Sequence, residues 1–146
     1  MGNPTVFRYL LLRWSVLCAM LLFLPLTLHA QTELERTFTR LDSLFKASNY
    51  SPEVLEAGQN ALRTTSKKSP EHALLLYHIG LTHRALLHYK DALKCLQQSK
   101  TVIDQHPTAS AEVRFHIYHQ LTDLHEESGN IYAAMDASLE ELRLIS

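Results

Sequence analysis

Only two cysteines occur in the 146 residues, Cys18 and Cys95, and Cys18 lies in the apolar run near the N-terminus. Cys95 is left without a partner for an internal disulfide, so packing alone must hold the fold. Its place among small apolar helix residues marks it as buried filler. Strand patterning is lacking too: no segment alternates apolar and polar residues with β-branched enrichment. Glycine is scarce, with 4 in the chain, one of them in the turn Ser128-Gly129-Asn130. There is no surplus of positive charge, since 14 lysines and arginines face 15 acids. That excludes the clustered basic surface that nucleic-acid binding requires. Nucleophile elbows, phosphate loops and zincin helices are all missing, so neither an enzyme nor a cofactor is expected.

The chain does contain an N-terminal export pattern. Arg8 and Arg13 precede an apolar run from Trp14 to Leu28, which ends at Leu28-His29-Ala30 before polar Gln31. A basic start, a short apolar core and a small residue ahead of the cut describe a secretory signal peptide. Residues 1–30 are therefore read as a leader cleaved after Ala30, placing the protein in the periplasm or outside the cell. The alternative is a retained membrane anchor. Against it, the run is about 15 residues, short of the roughly 18 to 20 that span a bilayer, and it contains Pro25. Once the leader is removed, no stable membrane span is expected. Removal takes away Arg8 and Arg13 and no acid, leaving 12 basic against 15 acidic side chains and a net charge of −3.

Helical periodicity runs through the rest, residues 31–146. Leu34, Phe38, Leu41, Leu44 and Phe45 follow three- and four-residue steps. Ser51-Pro52 and Ser69-Pro70 each supply a capping hydroxyl followed by a proline suited to the first helical turn. Helices are expected from these caps to about Thr64 and Leu87, then over about 90–104, 110–127 and 131 to the C-terminus. The fold class is all-α, as antiparallel helical hairpins in three pairs, 31–69, 70–107 and 108–146.

The second and third pairs are copies of one another. A shift of 42 residues superposes Leu76 on Tyr118, Ile79 on Leu121, Gly80 on Thr122, His83 on His125 and Ala92 on Ala134. A fixed period with helical spacing belongs to solenoids, which bury their core only between neighbouring repeats. Tyr89, Ala92, Leu96 and Ser99, with Leu76, Ile79 and Gly80 upstream, resemble the tetratricopeptide repeat. Tyr118, Leu121, Gly129, Ile131 and Ala134 follow it in the next copy, and Phe38, Leu41, Phe45 and Ala61 form a degenerate first one. The resemblance implies a short right-handed solenoid and an adaptor function. It also implies a concave groove carrying Leu74, Tyr77, Leu81, Arg84 and Ala85 in its middle, and His116, His119, Asp123, Glu126 and Glu127 at one end. Arg36, Thr39, Ser43 and Lys46 would make the other end basic.

Eight histidines follow the leader. His78, His83 and His88 step by five and so spiral around a helix instead of sharing a face. His83 and His125 read as half-buried rings. His116 and His119, three apart, suggest a zinc pair completed by Glu112 or Asp123, but metal sites want three or four placed ligands, and no metal is expected. The leading expectation is a non-enzymatic module binding a protein or peptide segment in the groove. The alternatives are a self-associating repeat protein, hence a homo-oligomer, or a shortened relative of a longer membrane-bound regulator.

Overall fold

Serine and asparagine caps set where the helices begin. The Ser51 hydroxyl accepts from the Val54 N–H at 3.4 Å and Ser69 from the His72 N–H at 3.2 Å, each just ahead of a proline. Ser110 and Asn130 do the same for the Glu112 and Ala133 N–H groups. Each cap satisfies a donor that the first helical turn leaves without a partner. In the computed structural model, which describes residues 33–146, six helices result and no strand is present among the described residues. They are α1 (33–47), α2 (Pro52–Thr64), α3 (Pro70–Ala85), α4 (Tyr89–Ile103), α5 (Ala111–Glu127) and α6 (Ile131–Ile145). The leader assigned to 1–30 lies outside the described residues. Among the described residues no helix is long and apolar enough to cross a membrane.

The helices pack in chain order: α3 on α4, α5 on α6, with α2 against α3 and α4 against α5. One turn geometry closes the first helix of every pair. The N–H of Tyr50 donates to the Phe45 carbonyl at 3.1 Å, that of His88 to His83 at 2.8 Å, and that of Asn130 to His125 at 2.8 Å. The residue before each of these donors has positive φ: Asn49 at 51°, Leu87 at 63° and Gly129 at 74°. A left-handed residue after a helix lets its orphan carbonyls bond back to the chain. The same turn therefore recurs three times, spaced by 38 and then 42 residues. Glycine takes this conformation freely, whereas leucine is strained in it.

α3 is the centre of the structure. Nine consecutive residues, His72–Gly80, are buried, so this helix is covered on every side. Gly80 lies so close to α4 that a Cβ there would sit 2.9 Å from Leu96 Cγ. Ser99 of α4 donates its hydroxyl to the Ala73 carbonyl at 2.7 Å. Leu74, Leu96, Ile103, Val113, Ile117 and Leu124 join one core cluster with Phe38 of α1. Full burial of such a side chain contributes about 1.5–3 kcal/mol.

Candidate binding groove

α1, α3 and α5, the first helices of the three pairs, line an open groove of about 750 Å³. α1 brings Phe38, Thr39, Asp42 and Lys46, and the turn after it Tyr50. α3 contributes Tyr77, Leu81, Arg84 and Ala85, and α5 Glu112, His116, Gln120 and Glu127. Aromatic contacts build the floor. Phe38 packs on Tyr77 with ring centroids 5.7 Å apart, and His116 stacks on Phe38 at 5.0 Å with an interplanar angle of 19°.

Arg84 ties the middle of the groove to its α5 wall. Its Nη1 donates to Gln120 Oε1 at 2.6 Å and to Asp123 Oδ2 at 3.5 Å, and its Nη2 bonds Glu127. Burial works to lower the Arg84 guanidinium, but the bonds to Glu127 and Asp123 outweigh it and hold it above its ordinary value. On α1, Lys46 pairs with Asp42 at 2.8 Å. Burial and the Asp42 carboxylate raise the Tyr77 hydroxyl well above the usual tyrosine range. The rim thus carries its charges largely as pairs.

The residues expected from the sequence divide accordingly. Tyr77, Leu81, Arg84, Ala85, His116 and Glu127 meet in the groove. Leu74 does not: it is 0% exposed and belongs to the core, because α3 is enclosed all round. His119 is exposed and turns to α6, its Nδ1 2.9 Å from Glu141 Oε1, with its ring stacked on Phe115. Asp123 reaches the groove only through Arg84, and Glu126 is exposed outside it. Thr39 and Lys46 line the other end, while Arg36 and Ser43 are not among its lining residues. Asp42, Tyr50 and Gln120 escaped the sequence reading. For Gln120 the signal was its place in the stripe Glu112, His116, Gln120 and Glu127 of α5, at helical steps of four, four and seven; Asp42 and Tyr50 carried no comparable signal.

The histidines also differ from the spiral expected of them. α3 ends at Ala85, so the following turn carries His88 back, and its Nδ1 lies 3.5 Å from that of His83. His78 sits inside, 5.0 Å from the Phe45 ring and 5.6 Å from Phe38. Neither of its ring nitrogens has a hydrogen-bond partner among the described residues. Burial pushes it down to about 4. His116 and His119 face different neighbours, and among the described residues no three histidine, cysteine, aspartate or glutamate side chains are grouped to hold a metal ion. Burial also raises the Cys95 thiol, which sits half-buried in α4.

Comparison with family models, curated proteins and solved structures gave no match.

Proposed function

We propose that this chain is an exported, non-enzymatic interaction module of the tetratricopeptide kind, which binds an extended protein or peptide segment in the groove of α1, α3 and α5. The observation carrying this reading is the groove itself. Over its buried floor of Phe38 and Tyr77, the side chains of Leu81, Leu87 and Tyr89 offer apolar area, and its rim of Asp42, Lys46, Glu112, His116 and Gln120 offers hydrogen bonds to a peptide backbone. Apolar pockets with a few placed polar groups suit affinity and register, respectively. The turn that recurs in all three pairs supports a repeat architecture. The sequence pattern of residues 1–30 supports export.

Because Tyr77 is buried, truncating it would disturb the core as well as the groove, and rim residues make the cleaner test. Thr39→Trp would fill one end of the groove, and Lys46→Glu with Glu112→Lys would invert its rim. The wild-type chain and these variants, matched for melting temperature, would be used as bait against an envelope extract and a displayed peptide library. A ligand held by the wild type and released by both variants is the expected result. Equal retention by all three baits would refute the groove as the binding site.

A further inference from the structure

α6 carries a second apolar surface, separate from the groove, to which it contributes no lining residue. Ile131, Tyr132, Met135, Leu139, Leu142 and Ile145 are all more than half exposed, Tyr132 at 85%. Their helical spacing gathers them into one stripe along the helix. At these exposures the six residues leave an apolar patch of the several-hundred-Å² size that marks an interaction surface, approaching the roughly 800 Å² that one partner brings to a standard stable interface.

A further repeat stacked on α6 would leave part of this stripe open. The 42-residue shift places Tyr132 and Leu139 at the positions of Lys90 and Gln97 in α4. Those two remain exposed although α5 and α6 follow α4 in the stack. The first copy is therefore polar where the second is apolar. Lys100, likewise, is replaced by Leu142.

We infer that this stripe is a homodimer interface in which α6 packs antiparallel against α6 of a second copy. Charge selects that occupant and that direction. Asp136 and Arg143, seven residues apart, lie on the same flank of the stripe. In an antiparallel pair centred near Leu139, the Arg143 of each copy faces the Asp136 of the other, so the two-fold axis repeats the attraction. Among the described residues of one copy, Arg143 pairs only with Glu140 of its own helix. A membrane surface fits less well, since interfacial helices favour a basic polar face and this flank holds Asp136 and Glu140 against one arginine.

The test is sedimentation of the full chain beside a variant given the α4 residues, Tyr132→Lys, Leu139→Gln and Leu142→Lys, with circular dichroism to verify its fold. A monomer–dimer equilibrium weakened roughly 100-fold in the variant is expected. Asp136→Arg or Arg143→Asp alone should weaken it about tenfold, and the two together should restore it. A monomer at all concentrations would overturn the inference, as would self-association that survives the triple substitution. Binding of a monomeric chain to lipid vesicles through α6 would overturn it in favour of a membrane surface.

Discussion

Acid should destabilise this fold through His78. Its ring is fully buried between Phe45, Phe38 and Tyr77, and burial is the main reason its pKa falls from 6.5 to about 4. Lys46 and His116 push in the same direction, while Asp42 opposes them. The folded chain therefore keeps the ring neutral while the unfolded chain protonates it. Between about pH 6.5 and 4 the unfolded state binds the extra proton, so stability falls as pH falls, by about 1.4 kcal/mol per unit. The full contribution is present above pH 6.5, and about 3 kcal/mol is lost by pH 4. His72 and His83, also lowered chiefly by burial, add smaller slopes of the same sign.

Urea unfolding followed by circular dichroism from about pH 7.5 to 4 would measure this slope in the wild type, His78→Phe and His78→Leu. Each substitution changes core volume and so shifts absolute stability, but neither side chain titrates. Both variants should lose most of the slope between pH 6.5 and 4. An unchanged slope would refute the reasoning and place the acid sensitivity elsewhere.

Two further predictions concern the recurring turn and the central helix. Leu87→Gly should stabilise by about 1 kcal/mol by relieving the positive φ, and Gly129→Ala should destabilise by about 1 kcal/mol, since its surroundings are open and only the backbone resists; melting temperatures of both variants would expose a wrong sign. Ser99→Ala should cost about 1–2 kcal/mol, because the Ala73 carbonyl loses a buried donor; a change within error in chemical denaturation would count against that bond.

Much of the fold was legible because local signals decide helix ends. Ser51-Pro52 and Ser69-Pro70 cap helices at the residues expected, and the turn at Gly129 falls where the sequence breaks. Gly80 was legible only as a position of the repeat pattern, and the 2.9 Å that would separate a Cβ there from Leu96 Cγ is the physical reason for a glycine. The groove was harder to read. α3 is buried on all sides over His72–Gly80, so periodicity has no polar face by which to orient it, and Leu74 was placed in the groove when it belongs to the core. Arg84 was legible as a groove residue, but not its attachment to α5, since Gln120 and Glu127 lie 36 and 43 residues away. The apolar stripe on α6 was present as spacing alone; only packing shows which apolar face of a helix stays uncovered.

The enclosure of α3 has a consequence for how the chain comes apart. A linear array of repeats can fray from its ends, each pair leaving while the next stays folded. Here α1, α2, α4 and α5 all contribute to covering one helix, so the loss of either outer pair wets α3 and weakens the other. Hydrogen exchange should therefore find the amides of α3 opening only with the whole domain, and its two flanks releasing together, as a single cooperative unit.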